Sequence, residues 1–173
     1  AFRVEGNRGY LLDANLNSLI VLNTTNPAAL EKINEYDFNF QIFDVKVQSH
    51  LIFVAAGPEG VLIIDGTNPI DLKEISKYSR DMANVIKIFV TGNNFYALDD
   101  NTGNILKDVD SMDYRFFSFN IFYFTKPSKT GYCSFQERIV DVHIVDDKAF
   151  LLKEEPGFHC LKILQTGSDD FDG

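Results

Sequence analysis

Apolar and polar positions alternate over short stretches of this chain, and the stretches recur. Phe43, Val45 and Val47 are matched by Ile86, Ile88 and Val90 and again by Val140, Val142 and Ile144, each set followed by a turn and an aromatic residue. Those aromatics, Tyr10, Phe53, Tyr96 and Phe150, stand 43, 43 and 54 residues apart. A second turn then leads to a further apolar run: Leu19-Ile20-Val21-Leu22, Val61-Leu62-Ile63-Ile64, Ile105-Leu106 and Phe158-His159-Cys160-Leu161. Period-two stretches rich in Val, Ile, Phe and Tyr and bounded by Gly, Asn, Asp and Pro predict strands. The 3.6-residue period of a helix is nearly absent.

Other landmarks keep the same register. Gly60 recurs as Gly103 and Gly157, and Asp44 recurs as Asp141, at spacings of 43 and 97 residues. The first two copies share a tail, Thr24-Thr25-Asn26-Pro27 with Leu30, Ile33 and Tyr36 against Gly66-Thr67-Asn68-Pro69 with Leu72, Ile75 and Tyr78, at an offset of 42. The third interval is 11 residues longer, and the excess is expected between Lys107 and Ile139.

Three or four strands per unit of this length is the content of one β-propeller blade, whose two faces are buried against neighbouring blades. The expected fold is therefore all-β: a single β-propeller domain over 1–173 with about four blade repeats at 1–37, 38–80, 81–131 and 132–164, and an acidic tail at 165–173. The first copy lacks the leading segment that 38–43 supplies in the second, and the fourth lacks the Asn-Pro tail. The sequence thus reads as beginning and ending within a blade. It forms a small ring closed by pairing its terminal strands, a slice of a larger ring, or a ring completed by another chain.

Gly60-Val61-Leu62-Ile63-Ile64-Asp65 followed by Thr67-Asn68-Pro69, and preceded by Phe43-Asp44-Val45-Lys46-Val47 and Leu51-Ile52-Phe53-Val54-Ala55, resembles the LVIVD repeat, a β-propeller blade unit. The resemblance runs over about 2–164 and is closest in the second copy. The third copy, with Tyr96-Ala97-Leu98-Asp99 before Thr102-Gly103, is more similar to the turn of quinoprotein-type propeller blades. Both resemblances imply a propeller. The LVIVD resemblance further implies an extracellular or cell-surface protein, and neither implies a particular activity.

Composition narrows the partners. Sixteen Lys and Arg against 25 Asp and Glu give a net charge of -9, which repels phosphate backbones, so nucleic acid is not expected. No apolar run reaches the roughly 18 residues that cross a bilayer, so no membrane insertion is expected. At this length the chain can bury a core without metal or disulfide staples, and no cofactor is called for. Cys133 and Cys160 match no metal spacing but lie in one copy and are a candidate disulfide. Asn23-Thr24-Thr25 is a candidate glycosylation site at Asn23.

Candidate chemistry is sparse. His50 takes the turn slot held by Asn7, Asn93 and Asp147 in the other copies, and His143 alternates with its apolar neighbours. His159 and Cys160, adjacent on a strand, face opposite ways and cannot form a nucleophile dyad. Asp99 and Asn101 offer oxygens at alternate positions before Gly103, as a calcium loop would, although no bidentate Glu completes the set and the residues also suit a strand-to-strand turn. No phosphate loop, nucleophile elbow or zinc-protease motif is present, so no enzymatic activity is expected.

The excess segment stands out. Seven of the eleven residues over 114–124 are Phe or Tyr. Such a strand is either buried on both faces or forms a contact with another chain. Phe117, Phe119, Phe122 and Tyr123 are the candidate partner-binding residues. The function expected is a non-enzymatic scaffold for protein–protein interaction or assembly. The alternative is a small-ligand, glycan or calcium-binding propeller, or a sugar-active enzyme, working in the central channel with Asp44 and Asp141 converging.

Overall fold

The computed structural model describes residues 1–101, 113–146, 148–155 and 158–165, the side chains of 155 and 158–165 excepted. Its regular structure is all β, in four antiparallel sheets that follow one another along the chain. The first contains β1 (Phe2–Glu5), β2 (Arg8–Asp13), β3 (Ser18–Asn23) and β4 (Glu31–Asp37). The second contains β5 (Asp44–Gln48), β6 (Leu51–Ala55), β7 (Val61–Asp65) and β8 (Lys73–Tyr78). The third contains β9 (Val85–Thr91), β10 (Asn94–Asp100), β11 (Tyr114–Asn120) and β12 (Ser128–Phe135), and the fourth β13 (Arg138–Val145), β14 (Lys148–Glu155) and β15 (Phe158–Gln165). Within each sheet every strand pairs with the next in sequence.

The repeated aromatics hold one structural position. Tyr10 lies opposite Arg3 and Val21, Phe53 opposite Lys46 and Ile63, Tyr96 opposite Phe89 and Ser118, and Phe150 opposite His143 and Ile163. Period-two alternation then sends neighbours to opposite faces. On β6, Ile52 and Val54 pack towards the first sheet while Phe53 and Ala55 pack towards the third. On β10, Phe95 and Ala97 pack back on the second sheet while Tyr96 and Leu98 pack on the fourth. Apolar clusters thus form between the first and second, second and third, and third and fourth sheets, which is why the middle strands read as continuous apolar runs.

The shared tail has a local cause. Asn23 and Asp65, at the ends of β3 and β7, each accept the N–H of the Thr two residues on, at 3.0 and 2.8 Å. Asn26 and Asn68 then repeat the device, accepting from Ala28 and Ile70 at 3.1 and 3.2 Å. Two consecutive side-chain turns steer each chain into its outer strand, β4 or β8, and Asn or Asp is needed because its short side chain reaches its own backbone. Gly60 is fixed by space and conformation together: its φ is +83°, and an added Cβ would lie 2.1 Å from the Tyr78 carbonyl oxygen.

Several expectations change. Residues 38–43 form no strand; the counterpart of β5 in the first sheet is β1, so the first sheet begins with its own first strand rather than within a blade. Among the described residues β1 pairs with β2 and with no strand of the last sheet, and the fourth sheet has three strands. The strand beside β10 is β11, not the run at Ile105-Leu106, which lies with Gly103 outside the described residues. Tyr114–Asn120 occupies that place because its aromatics fill both faces of the third sheet. The extra length therefore falls in the 101–113 connection, where the second sheet needs only 56–60. Finally, β12 pairs with β11, so the third unit extends to Phe135 rather than ending at 131.

Candidate functional site

In an antiparallel meander the first and third hairpins lie at the same end of a sheet. The turns at 49–50, 66–72, 92–93 and 121–127 therefore share one end of the second and third sheets, and contacts join them. Arg8 donates to the Gly66 carbonyl at 2.8 Å, Gln48 to that of Gly92 at 2.7 Å, and the His50 ring meets the edge of Phe124 at 6.5 Å. The His50 position is an exposed turn, as its repeat slot suggests.

At this end the aromatic segment divides. Phe122 and Tyr123 stand 67% and 71% exposed on the 121–127 turn, edge to face at 5.0 Å. Ile70, 72% exposed, stands on the corresponding turn of the second sheet. Sequence reasoning passed over Ile70, although an apolar residue directly after Asn-Pro in a turn has no strand face to bury it. Phe119, by contrast, is fully buried, stacked on Phe95 at 4.5 Å and edge-on to Tyr78 at 4.6 Å. Phe117 is buried as well, its ring beside Tyr132 at 5.8 Å. The expected contact set is corrected to its turn residues, because positions 117 and 119 of β11 face the second sheet and complete that core.

The first strands of the sheets carry a second constellation. Asp44, on β5, accepts the N–H of Val45 at 2.9 Å and that of Ile88, on β9 of the next sheet, at 3.3 Å. Lys46 and Arg3 also approach it, at 3.2 and 3.8 Å. Its repeat counterpart Asp141 pairs instead with Lys87 at 3.3 Å. A cleft of about 460 Å³ lies alongside, lined by Lys46, Phe89, Thr91, Asp141 and the exposed His143. Each carboxylate of the expected channel pair is thus engaged by a cation of its own.

The remaining candidates are placed as follows. Asp99 is fully buried at the end of β10, where one oxygen accepts the N–H groups of Ala83 and Asn84 at 2.9 and 2.6 Å and the other the Arg115 guanidinium. Asn101 donates to Asp113 at 2.7 Å. Both oxygens of Asp99 therefore serve the protein, and among the described residues no three His, Cys, Asp or Glu side chains are grouped to hold a metal. Cys133 is buried in the cluster between the third and fourth sheets, and the Cys160 side chain lies outside the described residues, as does that of His159. Asn23 uses its carbonyl oxygen in the turn described above. Among the described residues no helix is long and apolar enough to cross a membrane.

No protein-family model and no curated protein matches the sequence. Solved structures do match in fold. The computationally designed Ika4 protein superposes with a TM-score of 0.70 at 8% identity, over 96% of this chain and 89% of that one. A chain from an S. cerevisiae assembly of a Dbp5 variant bound to Nup159, a Gle1 variant, IP6 and ADP gives 0.57 at 11% identity, over 95% of this chain and 44% of that one. The N-terminal domain of Nup159, a β-propeller, gives 0.50 at 12% identity, over 94% of this chain and 47% of that one. The chain spans less than half the length of the latter two. Four consecutive antiparallel sheets packed face to face, together with these likenesses, define a β-propeller-like fold.

Proposed function

We propose that this chain is a non-enzymatic four-bladed LVIVD-type propeller scaffold that binds another protein, or a further copy of itself, through the turns at one end of its sheets. The observation that carries this reading is the placement of Phe122, Tyr123 and Ile70, each about two-thirds or more exposed, on corresponding turns of adjacent sheets. Large apolar side chains gathered on rigidly held turns are a feature of interaction surfaces. The resemblance to LVIVD chains and the Asn23 sequon support a site of action outside the cell or at its surface. Sugar chemistry at Asp44 and Asp141 fits less well, because each is tied into an ion pair.

The test compares the chain with a Phe122→Asp/Tyr123→Asp variant, by light scattering at tens of micromolar and by co-purification from the natural source. Loss of the assembly or partner with an unchanged melting temperature is the result expected. An unchanged assembly in a folded variant overturns the reading.

A further inference from the structure

A second groove, outside the turn surface, lies where the 79–84 connection meets the β11–β12 hairpin. It holds about 280 Å³ and is lined by Asp81, Arg115, Phe117, Lys129 and Tyr132. The pairing register places the buried Phe117 opposite the exposed Tyr132, and their rings lie within 25° of parallel at 5.8 Å. Lys129 sits over both rings, at 5.7 and 5.3 Å from their centres, and the Arg115 guanidinium lies 5.6 Å from the centre of Phe117. Asp99 secures the arrangement by holding both the connection, through the N–H groups of Ala83 and Asn84, and Arg115.

Among the described residues the Nε of Arg115 is buried without an acceptor. Leaving a guanidinium donor unmet costs more than leaving a neutral one, and such a group favours an oxyanion. Asp81, the exposed carboxylate at the mouth, binds Lys129 at 2.9 Å from a backbone with φ of +63°, a conformation that non-glycine residues rarely adopt. The Lys129 hydrogen bond and charge hold its carboxyl below the usual range, and Arg80 and Arg115 add to this. Among the described residues Lys129, Arg80 and Arg115 all act on Asp81, while Arg115 also pairs with Asp99.

We infer that this groove binds a carboxylate carried on a planar apolar group, received by Lys129 and Arg115 with its flat part against the exposed Tyr132, and that Asp81 is the internal competitor for that place. The carboxylate belongs to a free small acid or to an acidic side chain beside an aromatic one in a polypeptide. A site of this volume takes one ring and one acid group, which suits either source.

The experiment is an NMR titration of the isotope-labelled full chain with benzoate, benzamide and benzylamine. Benzoate is expected to shift the Tyr132 and Lys129 signals saturably, with benzamide and benzylamine about tenfold weaker, since charge-assisted hydrogen bonds distinguish them. Asp81→Asn keeps a residue that tolerates positive φ and removes the competing charge. It is expected to tighten benzoate several-fold, while Lys129→Met weakens it about tenfold. Acetyl-Phe-Asp-amide binding tighter than benzoate identifies a polypeptide source, and the reverse a free acid. Equal binding of benzoate and benzamide, absence of saturation, or indifference to both substitutions overturns the inference.

Discussion

The carboxylate of Asp99 and the guanidinium of Arg115 face each other across β10 and β11, the first fully buried and the second nearly so. The same carboxylate receives two backbone N–H groups of the connection that enters the third sheet. Arg115→Met leaves that charge buried without its counter-ion and is expected to cost about 3–5 kcal/mol, read as a lower urea midpoint. Arg115→Met combined with Asp99→Asn is expected to recover part of this loss, because the buried charge is then gone while an oxygen still accepts the two N–H groups. If Asp99→Asn costs as much in the Arg115→Met background as it does alone, the pair is not coupled.

Phe119 and Phe122 are three residues apart and have opposite fates. Phe119→Ala removes a ring stacked on Phe95 and is expected to cost about 3–5 kcal/mol. Phe122→Ser, on an exposed turn, is expected to fall within about 0.5 kcal/mol of the unmodified chain. Chemical denaturation of the two variants checks both values, and equal effects would contradict the division of the aromatic segment.

Much of this architecture was legible in the chain because a repeat shows the same physical requirement several times. The aromatic at positions 10, 53 and 96 faces the following sheet each time, and a side chain that must fill one inter-sheet space leaves a recurrent mark. The third copy was misread where the mark fails: β11 carries Phe at positions facing both ways, so period two gives no sign of which face is which. The carboxylate groove was illegible for another reason. It joins Asp81, Arg115, Lys129 and Tyr132 from two strands of the third sheet and the connection that precedes it, and no single stretch of sequence displays that combination.

Asp65 offers a test of the repeated turns through pH. The hydroxyl and N–H of Thr67 hold its carboxyl below the usual value of 3.8. A depressed carboxylate contributes its stability above the unfolded-state pKa and loses it as pH falls through the lower folded value. The turn is therefore expected to contribute fully at neutral pH and to weaken only below about pH 4. Asp65→Asn, which copies Asn23 in the first sheet, is expected to fold normally and to lose this dependence. Unfolding midpoints collected between pH 2 and 7 distinguish the two forms, and identical pH profiles would count against the assigned hydrogen bonds.

Each apolar cluster among the described residues belongs to two consecutive sheets at once, so the second and third sheets each contribute to two. Among the described residues, opening either of these inner sheets breaks two clusters, whereas opening the first or fourth breaks one. Amide protons of β6 and β10 are therefore expected to exchange with deuterium last, and those of β2 and β14 earlier, so that the molecule melts inward from both of its outer units. Such an order gives the two ends of the chain a readiness to part from the rest that the middle does not share.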